Sequence, residues 1–291
     1  MTNKFRFILQ IFLISLFNSG YCQQYFVSPT GSDTNSGTSV GSPFKTILRA
    51  KNEVRNHNQN MTSDIIVNLM GGTYKLTEAL NFGPLDSGTV NHFVIYKAYN
   101  GQTPIISSGR NITGWTQFDT ALNIWKADIQ TLYARQVYTG DQKAIRARSR
   151  TTDGFNLFES VNGYFSFCNT LNYFNWNLNT IQTRDIEMVA NNEWKSHRVP
   201  IQTKCLSQFK VEDSIFHYNH LGQFLCGTRP NWIENAYQLL DEPNEWYIDR
   251  SGASNILYYK SPTPGQPQNI IVPELDKLIV GDGVDNLIFD G

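Results

Sequence analysis

Charge is scarce in this chain. Lysine and arginine number 24 and aspartate and glutamate 25, making 17% of 291 residues and a formal net charge of −1. Soluble domains carry roughly 25% charged residues. With no excess of either sign, nothing steers the protein to nucleic acid or an anionic membrane, and neutral or weakly charged partners such as sugars are expected. The 5 histidines are scattered and no two of the 4 cysteines stand at ligand spacing, so neither a metal nor a cofactor is expected. Gly281-Asp282-Gly283 has no helix pattern after it, which makes it a turn and excludes a nucleotide-binding loop.

Long apolar runs are also rare. The one candidate, residues 7–17, is interrupted by Gln10 and Ser15 and is shorter than the about 20 residues a membrane span takes. Lys4 and Arg6 precede it, and Asn18, Ser19 and Gly20 lead on to Cys22. This is the pattern of a secretory signal peptide over residues 1–22, with a retained anchor as the alternative. Lipoprotein processing at Cys22 wants a small residue before the cysteine, where Tyr21 stands. No other segment is long and apolar enough to span, so an exported product is expected: secreted, or periplasmic or cell-surface in a bacterium. Cleavage after Cys22 leaves Cys168, Cys205 and Cys226 in a compartment that permits disulfides. Cys205 with Cys226 would close a modest hairpin-like loop, and three unpaired buried thiols are the alternative. Asn60 and Asn111 head sequons that matter only if the source glycosylates.

What the chain does have is short apolar runs and aromatics. A hydrophobic content of 40% and an aromatic content of 13% suffice for a packed core. Tyr25-Phe26-Val27-Ser28 reads as a strand, followed by a turn-rich loop in which Asp33, Asn35 and Gly37 have the spacing that begins a calcium loop. The acidic residue that should close such a loop is missing, and Asx-type turns explain the spacing more simply. Ser42 as N-cap and Pro43 at the first position open a helix with Phe44, Ile47, Ala50 and Val54 on its apolar face. Runs at residues 65–69, 73–76, 93–96 and 105–106, each bounded by Gly, Pro, Asn or Asp, read as short strands. One helix followed by many short strands suggests a helix capping a β-solenoid. From residue 114 longer, alternating, aromatic strands indicate antiparallel sheet with one wet face. From residue 268 the short runs resume, and the chain stops where a stack of coils is expected to begin, as the front of a longer protein would. An open end of that kind exposes strand edges and predicts poor solubility or association.

The segments YFVSPTGSDTNSGT, SPFKTILRAK, GGTYKL and FVIYKAYNGQTPIISSG resemble the opening coils of secreted right-handed parallel β-helix proteins of the pectin-lyase-like kind, shared by polysaccharide lyases and several glycoside hydrolase families. The segments ITGW, IWKADI, KAIRARS, NNEWKSHRVPI, RPNWIENAYQLLDEPNEWYIDRS and LYYKSPTPG resemble the β-helix glycoside hydrolase family that includes α-L-fucosidases and xylanases. The resemblance covers nearly the whole mature chain but only the front part of such an enzyme. Val199 stands where the family often has cysteine. The resemblance places the catalytic carboxylates on later coils, so no catalytic residue is carried over and the fragment alone is expected to be inactive.

The expected architecture is all-β: a signal peptide (1–22), a cap helix and first right-handed parallel β-helix coils (23–113), an inserted antiparallel β-sandwich-like domain (114–267) and resumed coils (268–291). The expected function is the N-terminal portion of an exported glycoside hydrolase acting on complex polysaccharide or oligosaccharide, with the missing C-terminal coils as partner. A non-catalytic carbohydrate-binding or adhesive protein and a β-helix polysaccharide lyase are the alternatives. Trp194, His197 and Arg198 form a compact cluster in which an indole can stack on a sugar while Arg and His donate to hydroxyls, or in which Trp194 is core and Arg198 satisfies carbonyls. Glycoside hydrolysis needs two carboxyl groups across one bond. Among Glu193, Glu234, Asp241, Glu242, Glu245 and Asp249, Glu234 beside Trp232 is the best placed, with a structural hydrogen-bonding role as its plainer reading. Asp241, Glu242 and Glu245 around Pro243-Asn244 read as a solvated turn. Lys143, Arg146, Arg148 and Arg150 make an alternating basic strand whose last three share a face. It suits either uronate carboxylates on an acidic polysaccharide or pairing with local Asp and Glu.

Overall fold

A computed structural model describes residues 22–149, 157–161, 164–167, 178–191, 196–205, 208–211 and 231–291. The described chain is mostly β, in several sheets, none of them closed. It divides into two units: the chain up to Ser108 together with Lys277–Gly291, and Gly109–Asp276.

The first unit begins with strands β1 (Gln23–Val27), β2 (Ile65–Leu69), β3 (Gly72–Lys75), β4 (Leu80–Phe82), β5 (Val94–Ala98) and β6 (Pro104–Ser107), with helix α1 (Ile47–Val54) between β1 and β2. The second unit carries β7 (Gly109–Asn111), β8 (Thr116–Asp119), β9 (Ile124–Gln130), β10 (Tyr138–Thr139), β11 (Gln142–Lys143), β12 (Ile145–Arg146), β13 (Leu157–Val161) and β14 (Tyr164–Phe167). It continues through α2 (Thr180–Asp185), β15 (Glu187–Asn191), β16 (Ser196–Cys205), β17 (Gln208–Val211), β18 (Trp232–Glu234), β19 (Glu245–Asp249), β20 (Asn255–Lys260) and β21 (Ile270–Pro273). The chain then returns to the first unit as β22 (Ile279–Gly281) and β23 (Leu287–Asp290).

Every strand pairing in the first unit is parallel. One ladder runs β1-β2-β5-β23, a second pairs β3 with β6, and a third pairs β4 with β22. Alternate residues Tyr25, Val27, Ile65, Val67, Leu69, Val94 and Tyr96 are buried in one core with Leu80 and Phe82. Burying a side chain of this size contributes about 1.5–3 kcal/mol. Tyr96 and Phe289 are register partners on β5 and β23, stacked with centroids 5.1 Å apart, and Phe82 meets both edge-on. Helix α1 lays Ile47, Ala50 and Val54 on the same core. Asp86, buried in the turn after β4, ties down the end of that helix through a bidentate ion pair with Arg55 at 2.7 and 2.8 Å.

The helix starts later than Ser42-Pro43 suggests. Thr46 is its N-cap, accepting from the Arg49 amide, because Phe44 is bridged to Val27 at the edge of β1. The Asp33 carboxylate is spent on the same junction, accepting from the amides of Lys45 and Thr46 and the Thr46 hydroxyl, and Asn35 donates to the Pro43 carbonyl. Those two side chains organise a turn. Gly37 holds a left-handed φ of 70°, and a Cβ there would lie 2.1 Å from the ring of fully buried Phe44. Gly37→Ala is therefore expected to lower stability by about 2 kcal/mol in a thermal melt, from strain and overpacking together. An unchanged melting temperature would contradict this packing.

Among the described residues of the second unit every strand pairing is antiparallel except β12 with β19. The sheets run β11-β10-β21-β7, β12-β19-β20-β9-β8 and β13-β14-β17-β16-β15-β18. Ile270–Pro273, read above with the coils, is β21 of this unit and pairs antiparallel with β7 and β10. Its alternate residues Ile270 and Val272 are buried with Trp115, Trp246 and Leu257, which draws the strand into this core. Parallel pairing begins again at β22.

Candidate functional site

The segment from β12 to Ser149 joins two sheets of the second unit. On one side Ile145 and Arg146 pair with Glu245 and Trp246 of β19. On the other, Arg148 bridges to Glu234 of β18, and the Ser149 amide donates to the Ile233 carbonyl. Position 146 is thus enclosed from both sides, and the strand is only two residues long. The expected two-residue alternation fails here. Arg146 is buried while Arg148 is exposed, and Ala147 and Ser149 are both buried. Arg150 lies outside the described residues.

Burying Arg146 answers an electrostatic conflict. Glu187 on β15 and Glu234 on β18 are direct cross-strand partners, and both are buried. Like charges placed so are destabilising. Arg146 Nη1 donates to Glu187 Oε2 at 2.5 Å and to Glu234 Oε1 at 3.1 Å, and Nη2 donates to the Tyr133 hydroxyl at 3.2 Å. Arg135 adds a bidentate fork to Glu187 at 3.0 and 2.7 Å. Arg198 Nε and Trp232 Nε1 complete Glu234 at 3.2 and 2.8 Å. Burial alone would push the Glu187 carboxyl up, but the hydrogen bonds from Arg135 and the charges of Arg146 and Arg135 outweigh it and hold the group below its ordinary range. Arg146 Nε, itself buried, has no hydrogen-bond partner among the described residues.

Above this network lies a cleft of ≈ 450 Å³, lined by Arg135, Lys143, Arg146, Arg148, Arg198, Trp232, Glu234 and Trp246 among others. Of its five cations Arg135, Arg146 and Arg198 pair with the two carboxylates just described, which leaves a surplus of three positive charges among the described residues. The Arg148 guanidinium rests 4.8 Å from the centroid of the Trp232 ring, a cation–π contact that holds it at the rim. A planar, charged fork presented from an aromatic shelf is suited to a carboxylate.

Of the residues singled out in the sequence, Arg198, Trp232 and Glu234 are brought together here. Trp194 lies outside the described residues, and of His197 only the backbone position on β16, opposite Ala190, is described. Both oxygens of Glu234 are engaged by Arg146, Arg198 and Trp232, an arrangement that fits the hydrogen-bonding role. Trp232 carries Arg148 and Glu234 rather than offering a bare shelf. Glu187 and Arg135 were missed, because their partners are 41 and 52 residues away in sequence.

Cys226 and the Cys205 side chain also lie outside the described residues. Asn60 and Asn111 are exposed, on a 3₁₀ turn and at the end of β7. Glu193 is outside the described residues. Glu245 departs from the solvated turn proposed for Asp241, Glu242 and Glu245: it is 2% exposed and accepts from the amides of Asp241 and Glu242, both at 3.0 Å. Burial pushes its carboxyl up to about 7, against the backbone N–H groups that favour its charge. Its position at the head of the apolar strand EWYID was the available signal.

No protein-family model and no curated protein sequence matches the chain. Among solved structures, a glycoside hydrolase is similar at 22% identity with a TM-score of 0.71, over 92% of this chain and 49% of that one. XylC in complex with xylose is similar at 14% identity with a TM-score of 0.44, over 92% of this chain and 34% of that one. The first likeness shows a shared fold, and the chain spans about half the length of that glycoside hydrolase.

Proposed function

We propose that the chain is the scaffold and substrate-recognising portion of an exported carbohydrate-active protein, a glycoside hydrolase built on a right-handed parallel β-helix and acting on complex polysaccharide. The shared fold supports the glycosidase class. The three parallel ladders support the β-helix: β2, β3 and β4 read as one coil, β5, β6 and β22 as the next, with the second unit inserted between β6 and β22. Membership in the family of α-L-fucosidases and xylanases rests on the sequence segments alone.

The single observation that carries the functional reading is the cationic cleft. Its carboxylates are consumed by arginines, so it suits recognition of an acidic sugar and not bond cleavage. The same observation favours the second reading, a carbohydrate-binding protein without catalysis. Titration calorimetry with a short oligogalacturonate and with its methyl ester tests recognition. The acid form is expected to bind about tenfold more tightly, since a charge-assisted hydrogen bond contributes about 1.5–3 kcal/mol. Arg148→Ala is expected to abolish that preference. Equal binding of acid and ester would sink the reading, and release of reducing sugar decides between its two forms.

A further inference from the structure

We propose that a second pocket in the Gly109–Asp276 unit binds one neutral pyranose ring of a polysaccharide, separately from the cationic cleft. The proposal rests on the carbohydrate-active reading but uses different residues. The pocket has a volume of ≈ 200 Å³, a size suited to a single sugar ring, and its walls are Phe118, Tyr237, Tyr247 and Tyr258 with Gln182 and Asp249. Tyr247 and Tyr258 are register partners on β19 and β20, stacked 6.1 Å apart. Tyr237 meets Tyr258 edge-on at 5.3 Å, and Phe118 meets Tyr258 edge-on at 5.1 Å.

A sealed core cluster would look different. Phe118 is 46% exposed. It is also the residue left over where the β8–β9 register shifts: Gln117 pairs with Trp125 and Asp119 with Ile124. A bulge of this kind re-aims a side chain, here the ring at the pocket's lip. The polar wall is held in advance. Gln182 closes the capping box of α2 with Asn179, its Oε1 accepting from the Asn179 amide at 3.2 Å, and its Nε2 donates to Asp249 Oδ2 at 3.3 Å. Asp249 Oδ1 accepts from the Ser251 amide at 2.9 Å, so the carboxylate keeps acceptor capacity for hydroxyls. Aromatic faces and edges for the C–H surface of a sugar, with an acceptor and a donor at its rim, match a pyranose better than a wholly apolar ligand. Among the described residues the wall holds one carboxylate and no cation, which turns away a uronate; Lys126 lies over the Phe118 ring at 5.1 Å but outside the lining.

The test is calorimetry of the full chain with neutral xylo-, cello- and galacto-oligosaccharides. At least one is expected to bind saturably. Phe118→Leu, which keeps an apolar side chain at an exposed position, is expected to weaken that binding about tenfold, or about 1.4 kcal/mol. Arg148→Ala is expected to leave it unchanged. The proposal is overturned if no neutral oligosaccharide binds, or if binding survives Phe118→Leu. It is equally overturned if Arg148→Ala removes the binding, which would move the neutral ligand to the cationic cleft. Equal binding of acid and ester by the unsubstituted chain, with neutral binding intact, would instead count against the cleft alone.

Discussion

Replacing Arg146 by alanine is expected to destabilise the second unit by about 3–5 kcal/mol, the usual cost of removing one partner from a buried ion network. The guanidinium separates Glu187 from Glu234, which face each other across β15 and β18 and are both buried. Without it, Arg135 still holds Glu187 and Arg198 still holds Glu234, but both of those side chains come from the solvent side and are substantially exposed. The substitution also empties the space beneath the Trp246 ring. All 6 tryptophans of the chain fall within Gly109–Asp276, so indole fluorescence during urea unfolding reads this unit specifically. Adding Glu187→Gln and Glu234→Gln is expected to recover part of the loss, because the two buried like charges are then gone. A loss below about 1 kcal/mol for Arg146→Ala would place the pair in a far wetter setting than their burial indicates.

Stability is also expected to fall as pH rises from about 4.5 to about 7, and Glu245 is the cause. Its carboxyl is pushed up from 4.5 to about 7 in the folded chain by burial. Between those values the folded state keeps a proton that the unfolded state has released, so protonation favours folding. The contribution is complete below about pH 4.5 and is lost as pH climbs through about 7. A shift of this size corresponds to roughly 3 kcal/mol. Glu187 acts with the opposite sign. Its folded carboxyl is held low, so its contribution is present above the ordinary glutamate range and disappears as the solution is acidified further. Urea midpoints measured from pH 4 to 8 are expected to decline between about pH 4.5 and 7 and to level off above it. Glu245→Gln, which keeps an acceptor for the Asp241 and Glu242 amides, is expected to flatten the decline. A flat wild-type profile would show that the amides of Asp241, Glu242 and Arg148 outweigh burial at this carboxyl.

Local features of this fold could be read from the residues, and non-local ones could not. The apolar spacing of Ile47, Ala50 and Val54 marks α1, and the runs at 65–69 and 93–96 mark β2 and β5, because helix and strand periods are properties of neighbouring residues. The start of α1 was misread since its cap depends on Asp33, a partner 13 residues back from Thr46. Glu234 stood out through its neighbour Trp232, which does donate to it. Arg146 looked like one rung of a regular basic strand, and only the meeting of two sheets at Ser149 explains why it turns inward. The aromatic pocket left no trace beyond a high aromatic content. Its geometry comes from the pairing of β19 with β20 and from one extra residue in β8.

The second unit is closed at its base by its own ends, with Gly109 and Arg110 zipped to Pro273 and Val272. The first unit, by contrast, is completed across a long gap: the Asp285 amide donates to the Ser87 hydroxyl, 198 residues away. During synthesis at about 5–20 residues per second, strands β4 and β5 therefore emerge roughly ten to forty seconds before β22 and β23. For that interval the exposed flanks of those strands have no neighbours of their own to cover them. A chaperone acting on the nascent chain would find its client here, in the early coils, and would let go only when translation delivers the returning strands.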